Sequence, residues 1–454
     1  MQKLFDEVAS LDKRCYDEFF LNEDILMEHA AEGMAEYIRS NFKKSSKVVI
    51  VSGSGNNGAD GIALARLLHA DYDTSIFYAK KPVSKMALLQ HKRAFSIGVK
   101  ECTQLQECDV LVDAIVGTGF SGEFSDEIAS LIKEMNSLDA FKIACDIPSG
   151  YRFEADVTLT MGALKKSMFT DSAKEFVGEI KVVNLGISRE IYEKQSNWNL
   201  LNLEDLKLPK RVKKDSHKGS YGHLALASGE KSGASIMSAL AALRFGAGLV
   251  TLVGYEDIQI PYMLMYSHEV PKNATALALG MGLGAEFSQI ELDKFLDNTL
   301  PLVADADILS LAIILEILKR DGVVVTPHAK EFAALLKVTK VADITTEELQ
   351  KNRFRYAEKF CKAYPHVTLV LKGANVVVAK GDEFYINPHG RASLAKGGSG
   401  DVLTGLIGAL LAQGYTPLDA AINASLAHTK LAINYTGADF ALTPDHLIEE
   451  ISKL

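Results

Sequence analysis

A short apolar strand followed at once by a glycine loop is the feature that most constrains this chain. The run KVVIV, residues 47–51, is β-branched and has no polar face, which is typical of a central strand in a parallel sheet. The loop GSGNNGADG follows it directly. Alternating helical and apolar segments come next: helices near 59–69 and 84–95, and strands near 74–78, at DVLVDAIV from Asp109 and at FKIACDI before Pro148. This order predicts a doubly wound, Rossmann-like α/β domain with ligand sites at the carboxyl ends of its strands.

The alternation breaks between residues 197 and 218 and then restarts. This stretch carries a proline and the basic run RVKK but no clear period, so we place a domain boundary here, giving domains 1–205 and 206–454. With only four clustered cations, RVKK favours a solvated linker over a phosphate or nucleic-acid patch. Beyond it come GHLALAS, a small-residue helix near 233–245 and the strands LVTLV, TALALG, LPLVADAD and GVVVTP. A second α/β domain is therefore expected. A chain of 454 residues is long enough for two domains that each bury a hydrophobic core.

The charge balance, the cysteines and the apolar runs limit the kinds of partner that this chain is expected to bind. The 49 basic and 58 acidic residues give a net charge of −9 and are interspersed, so we expect no nucleic-acid partner. Five cysteines without a CxxC pair indicate neither a zinc site nor a disulfide framework. The charged N-terminus and the short apolar runs predict a cytoplasmic protein with no membrane partner. Anionic ligands must then be held by local amides and helix N-termini.

Two further strand ends in the first domain carry acidic turns. Asp113 opens DAIVGTGFSGE, and Asp146 opens DIPSG. Each aspartate alone is equally compatible with a buried turn cap. Together with the glycine loop they place three polar strand ends on one sheet edge, which indicates a binding site.

These three segments resemble, in order and spacing, the N-terminal domain of the YjeF family over about residues 1–200. The resemblance implies NAD(P)HX epimerase activity, which interconverts the R and S epimers at C6 of the hydrated nicotinamide ring. It further implies that potassium is bound by Asn57, Asp113 and Ser149, and that Asp146 contacts the substrate. The residues implied to bind the hydrate are Asn56, Asn57, Gly58, Ala59, Asp60, Gly117, Thr118, Gly119, Phe120, Ser121, Gly122 and Glu123.

The chain departs from the family at Ala59, where the family loop usually has glycine. Epimerising a carbinolamine carbon requires loss of hydroxyl or ring opening, and either route needs an acid/base group. Asp146 is our catalytic candidate, and Asp113 is the competing one.

In the second half, AKGGSGD at residues 395–401 precedes the apolar run VLTGLIGALLA. This pattern predicts a helix entered from a glycine loop whose amides form an anion hole. Asp401, in the first turn, would then be a base for an attacking hydroxyl, or an acid stabilised by the helix dipole, and the adjacent glycines favour the base. His328 follows the strand GVVV, where a turn histidine is more common than a catalytic one. Lys372 in LKGAN suits a phosphate contact.

With HKGSYGH from His217, GMGLG at 280–284 and VADAD, these segments resemble the YjeF C-terminal family, the ribokinase-like ADP-dependent NAD(P)HX dehydratases, from about Lys213 onward. The resemblance implies that ADP phosphorylates the C6 hydroxyl of the S hydrate, with magnesium accompanying the nucleotide, and that elimination of phosphate regenerates NAD(P)H and leaves AMP. It assigns hydrate contacts to Ala234, Gly282, His328 and Asp401. It assigns adenine-nucleotide contacts to Lys372, Gly373, Ala374, Asn375, Val376 and Gly400.

Here too the chain departs from the family, which tends to write DADALN where this chain has DADILS. A vitamin kinase for a hydroxymethylpyrimidine or thiazole is the alternative enzyme, because the glycine-aspartate element is shared across that fold. The first domain argues against it. A nucleotide-sensing module is the non-enzyme alternative, and acidic sets at both sites argue against that. The sequence does not determine the oligomeric state, and a homo-oligomer is compatible with it.

Overall fold

The computed structural model describes residues 1–120, 122–254, 258–284 and 289–454. The chain forms two compact units, one of Gln2–Ser196 and one of Met1 with Asn197–Leu454. The sequence boundary at 205/206 falls inside the second of these units. Within the described ranges, no helix combines the length and the apolar character that crossing a bilayer requires.

The first unit alternates strands and helices as predicted. Its strands are β1 (Gln2–Phe5), β2 (Lys47–Ser52), β3 (Asp73–Tyr78), β4 (Lys100–Cys102), β5 (Val110–Ala114), β6 (Phe141–Cys145), β7 (Val157–Met161), β8 (Leu164–Lys165) and β9 (Glu179–Val183). Its helices are α1 (Ala9–Glu18), α2 (Glu23–Asn41), α3 (Asn56–Leu68), α4 (Lys85–Ser96), α5 (Asp126–Ser137) and α6 (Arg189–Tyr192).

The main sheet of this unit is parallel, in the order β4-β3-β2-β5-β6-β7-β9. The chain leaves β2 toward β3 on one side and returns to β5 on the other, so the strand order reverses between β2 and β5. Crevices at such switch points are the usual ligand sites of open α/β sheets. The register pairs Val51 with Asp113, and Asp113 with Ala144, which brings the ends of β2, β5 and β6 to one edge.

Residues of β2 alternate between two buried clusters, because successive side chains of a strand point to opposite faces. Val48 and Ile50 pack on one face with α2 and α3, and Val49 and Val51 pack on the other with α5. Burial on both faces explains why KVVIV has no polar period. The Rossmann-like prediction is confirmed by this topology.

The second unit continues the chain. Its strands are β10 (Trp198–Leu200), β11 (His223–Ala227), β12 (Leu249–Val253), β13 (Met265–Ser267), β14 (Ala276–Leu279), β15 (Leu302–Ala304), β16 (Val323–Val325), β17 (Thr368–Leu371), β18 (Val376–Lys380) and β19 (Glu383–Asn387). Its helices are α7 (Ser232–Arg244), α8 (Gln289–Leu296), α9 (Ile314–Ile317), α10 (Ala329–Val338), α11 (Thr346–Lys351), α12 (Arg353–Ala363), α13 (Ser399–Ala412), α14 (Pro417–Asn434) and α15 (Pro444–Glu450).

Its strands follow the order β13-β12-β11-β14-β15-β16-β17-β18-β19-β10. Those from β13 to β17 are parallel, and β18 and β19 continue the sheet as an antiparallel hairpin. Helix α13 is buried along almost its whole length, as its apolar sequence predicts. It packs against α7, β14 and β15, and its N-terminal residues Gly400 and Thr404 approach Lys372 and Asp305, which follow β17 and β15.

Candidate functional site

The glycine loop of the first unit packs backbone against backbone. A Cβ on Gly53 would overlap the carbonyl oxygen of Ile115, and one on Gly58 would overlap that of Gly53. Helix α3 begins at Asn56, so the polar residues that follow the loop lie in its first turns. The helix dipole and free amides therefore face the switch-point crevice.

The side chains of that first turn differ in their surroundings. Asn56 is exposed and donates to Glu23 over 2.6 Å, whereas the Asn57 Nδ2 is buried without a partner among the described residues. Ala59 is fully buried and packs with Met27 and two residues of α4. The departure at residue 59 thus adds a methyl group to the core and leaves the polar face unchanged.

Asp113 and Ser149 form a buried pair at the end of β5. The Ser149 backbone N–H donates to Asp113 Oδ2 over 2.7 Å, and the Ser149 hydroxyl lies 2.6 Å from Oδ1. Burial raises the pKa of Asp113 to about 6, and the bonds from Ser149 and the Ile115 N–H oppose this rise. Asn57 lies close to the next loop, since a Cβ on Gly117 would sit 3.5 Å from its Oδ1. The structure thus brings the loops that carry Asn57, Asp113 and Ser149 together at one edge.

The loop after β5 forms the exposed rim of this crevice. Thr118, Gly119, Gly122 and Glu123 are exposed, and the Phe120 ring stacks on Phe124 with centroids 4.4 Å apart. Ser121, a predicted hydrate contact, lies outside the described residues.

Asp146 occupies the end of β6 with a left-handed backbone, φ +70°. Its Oδ1 accepts from the Met161 N–H over 3.1 Å, from the Thr160 hydroxyl over 3.3 Å and from the ammonium of Lys165. The Lys165 side chain is wholly buried. Left-handed non-glycine residues store backbone strain and occur preferentially at functional sites.

Further acidic groups surround this pair. Burial raises the pKa of Asp60 well above its usual range, and the negative charges of Asp146 and Asp12 add to the effect. Burial also raises the pKa of Asp12, which accepts a 2.7 Å hydrogen bond from the Tyr192 hydroxyl. Sequence reasoning missed Lys165, Asp12 and Tyr192. The signal for Lys165 was a cation directly after the apolar run VTLTMGAL.

A second polar centre lies at the ends of β15 and β17. Asp305 is buried, and its Oδ1 accepts from the Lys372 ammonium over 2.7 Å while its Oδ2 accepts from the Thr404 hydroxyl over 2.8 Å. Lys372 also lies 3.6 Å from Glu331. Burial by itself lowers the pKa of Lys372, but the two carboxylates outweigh it and raise the pKa above the usual value.

Helix α13 points its N-terminus at this centre. Gly398, the N-cap, has φ +90°, and a Cβ on Gly400 would lie 3.5 Å from the Lys372 Nζ. Asp401 lies in the first turn of this helix. Burial raises the pKa of Asp401 to about 7, the charge of Asp305 adds to the rise, and Lys372 opposes it. The carboxylate is therefore poised near neutral pH, as a general base requires.

Other predicted contacts line the same edge. A Cβ on Gly282 would lie 3.1 Å from that of Ala234, and a Cβ on Gly280 would overlap the carbonyl oxygen of Asp305. His328 is the N-cap of α10, where its Nδ1 accepts from the Glu331 N–H over 3.2 Å.

The predicted nucleotide segment follows Lys372 into the turn before β18. Gly373 and Ala374 are exposed, Asn375 is buried, and Val376 begins β18. Sequence reasoning missed Thr404 and the buried His428, whose Nε2 lies 3.1 Å from the Ser399 hydroxyl at the start of α13. Burial lowers the pKa of His428 to about 4, so it is a neutral partner for that hydroxyl.

Known proteins match both units. A family described as NAD(P)H-hydrate dehydratase matches residues 224–453, and a family described as YjeF-related protein N-terminus matches residues 23–167. The bifunctional NAD(P)H-hydrate repair enzyme Nnr of Helicobacter pylori is 42% identical to this chain, and the alignment covers 100% of both proteins. The Escherichia coli enzyme of the same name is 32% identical, with 93% of this chain and 87% of that protein covered.

Among solved structures, the ADP/ATP-dependent NAD(P)H-hydrate dehydratase from Bacillus subtilis co-crystallized with ATP/Mg2+ is 29% identical, with a TM-score of 0.47. The match covers 55% of this chain and 94% of that one. The full-length identity to the curated relatives and the two matched families together show that this chain belongs to the family of bifunctional NAD(P)H-hydrate repair enzymes.

Proposed function

We propose that this chain repairs hydrated NADH and NADPH with one catalytic domain in each unit. The first interconverts R- and S-NAD(P)HX, and the second dehydrates S-NAD(P)HX at the expense of ADP, with release of AMP and phosphate. The observation that carries the proposal is the pair of separate acidic centres, around Asp146 and around Asp401, each at the carboxyl edge of parallel strands.

In the first domain, Asp146 is the proposed acid/base group for the C6 carbinolamine. The amides at the start of α3 and the residues 117–123 hold the hydrate, with the Asp60 carboxyl beside it. Asp113 is the weaker candidate, because the hydrogen bonds from Ser149 and Ile115 already occupy both of its oxygens.

Potassium fits the neighbouring oxygen set. Asn57 offers its amide Oδ1, which lies beside the loop at Gly117, and Ser149 and Asp113 add a hydroxyl and a carboxylate. A hard cation accepts oxygen ligands of these kinds. When bound, potassium would supply positive charge that compensates the buried Asp113 carboxylate.

In the second domain, Asp401 is the proposed base for the C6 hydroxyl, which attacks the terminal phosphoryl group of ADP. The amides from Gly397 to Gly400 receive that group at the N-terminus of α13. Lys372 supplies a cation at the same point, and residues 373–376 continue along the nucleotide. Magnesium would serve as the counter-ion of the diphosphate, and the carboxylates near Lys372, those of Asp305 and Glu331, are the groups that would hold it. Ala234, Gly282 and His328 complete the hydrate side.

The fusion has a chemical logic, because a dehydratase that accepts one epimer leaves the other untouched unless an epimerase converts it. The test is to incubate the chain with mixed R- and S-NADHX and either ADP or ATP, and to follow NADH absorbance. Complete recovery of both epimers with a nucleotide supports the proposal. Binding without turnover, or phosphorylation of a vitamin alcohol instead, would overturn it.

A further inference from the structure

Lys165 is an unusual cation, because its side chain is fully buried. Its position is fixed by β8, which pairs with β1 at Phe5. The ammonium donates to the Thr160 hydroxyl over 2.7 Å, to the Met161 carbonyl over 2.8 Å and to Asp146. Three donors therefore meet three acceptors, and the group is fully satisfied in its charged form.

The two carboxylate oxygens of Asp146 have different surroundings. Oδ1 receives all three donors, from Lys165, Thr160 and the Met161 N–H. No donor in the described parts of the chain reaches Oδ2. The side chain is 12% exposed, so it opens onto the crevice.

The main chain of Asp146 holds its carboxylate in the same orientation. At φ +70° the Asp146 peptide is held by its N–H, which donates to the Leu159 carbonyl over 2.9 Å. Aspartate tolerates this left-handed conformation better than most residues. The carboxylate is therefore held from both ends, by its own main chain and by Lys165.

We infer that Lys165 is a positioning residue that keeps Asp146 ionised with only Oδ2 facing the substrate, so that Asp146 acts as a base and epimerisation proceeds by ring opening. This inference rests on the proposed epimerase function. It decides between the two routes open to a carbinolamine, because loss of hydroxide needs a proton donor at the oxygen, whereas ring opening needs a base.

The proton balance is complete with Asp146 alone. Oδ2 takes the proton from the C6 hydroxyl, the C6–N1 bond breaks with its electron pair going to N1, and C6 becomes an aldehyde. Oδ2 then gives the proton to N1. Rotation about the C5–C6 bond presents the other face of the aldehyde, and the reverse steps close the ring as the opposite epimer. The carboxylate is regenerated and no co-reactant is consumed.

The test compares pH profiles of R-to-S conversion by Lys165→Met and wild type. The rate of the variant is divided by that of wild type at each pH, because the neighbouring Asp60 and Asp12 carboxyls, whose pKa values burial raises, contribute their own pH dependence to both proteins. The variant is expected to lose about 10²-fold at pH 6 and to recover at least about tenfold by pH 9, because an unpaired buried carboxylate takes up a proton more readily. Lys166→Met is the matched control, since Lys166 pairs over 2.7 Å with the exposed Asp6 instead.

Three further measurements complete the test. In Asp146→Asn, adding Lys165→Met should cost no further rate, because Lys165 acts only through Asp146. S-NADHX dehydration by the second domain normalises the enzyme concentration, and thermal unfolding of the first domain shows whether each variant is folded. If Lys165→Met fails to fold, Lys165→Gln is measured in its place, because glutamine keeps a hydrogen-bond donor but carries no charge.

A uniform loss of rate in the folded Lys165 variant, with a pH profile unchanged from that of wild type, would overturn the inference while leaving the epimerase function intact. Absence of R-to-S conversion in wild type would instead overturn the proposed function.

Discussion

Replacement of Asp401 by asparagine separates a catalytic base from a helix cap, because the two roles predict different changes in turnover. Asparagine keeps the size and capping ability of aspartate. It cannot accept the hydroxyl proton, so we expect ADP-dependent dehydration to fall by about 10²–10⁴-fold while the loop 397–400 and nucleotide binding persist.

The stability change follows from the pKa of Asp401, which rises from 3.8 to about 7. A folded-state pKa above the unfolded one means that the native state binds the extra proton, so stability from this group falls as the pH rises from about 4 to 7. A shift of about 3 units corresponds to at most about 4 kcal/mol at pH 8. The carboxylate is partly exposed, and solvent screening reduces this to about 1–2 kcal/mol.

Asp401→Asn should therefore unfold at a higher temperature than wild type at pH 8, by about 2–4 °C for each kcal/mol, with a smaller gain at pH 5. Thermal unfolding at both pH values and NADH recovery from S-NADHX measure the two effects. Asp419→Asn is the matched control, because Asp419 occupies the same third position of α14, is exposed and bonds its own cap, Thr416, over 2.7 Å. An Asp401→Asn variant that turns over S-NADHX within a few-fold of wild type would show that Asp401 is not the base.

The remaining predictions address the two sites separately. For dehydration by wild type, kcat/KM should fall as the pH drops through about 7, because protonated Asp401 cannot act as a base; a rate that is flat from pH 6 to 8 would contradict this assignment. Asp146→Ala should leave S-NADHX dehydration nearly intact and slow consumption of the R epimer to its spontaneous rate, and equal loss of both activities would refute the two-site scheme. Exchange of potassium for tetramethylammonium should lower both the epimerisation rate and the unfolding temperature of the first domain above pH 6, where Asp113 is ionised. At pH 5, where Asp113 is largely protonated, the same exchange should have a much smaller effect. Asp113→Asn should abolish this dependence on potassium. If the melting curve of wild type stays unchanged after exhaustive exchange of potassium, the proposed potassium site would be wrong.

The sequence predicted the architecture where hydrophobic period and glycine loops agree. Strand β2, helix α3 and the helix after GGSGD were all anticipated, because burial on both faces and helix entry from a glycine loop leave direct marks in the sequence. The start of α3 at Asn56 was not foreseen, since Gly58 and Gly61 lower the helix propensity there.

The missed residues act through contacts that bring distant segments together. Lys165 meets Asp146 only because β7 turns back at Gly162 and β8 joins β1. Thr404 meets Asp305 across 99 residues of chain. No local pattern contains such pairings, and a lysine or threonine next to an apolar run is compatible with many other environments.

The backbone contacts of Gly53 and Gly58 set a limit on how this enzyme can evolve. Because any side chain at either position would collide with a carbonyl group, the floor of the first crevice cannot be reshaped by point mutation without moving strands. The rim has no such backbone contacts to preserve at Thr118 and Glu123, which are exposed. A directed-evolution library that seeks to change the preference between NADHX and NADPHX should therefore diversify the rim and hold both glycines constant.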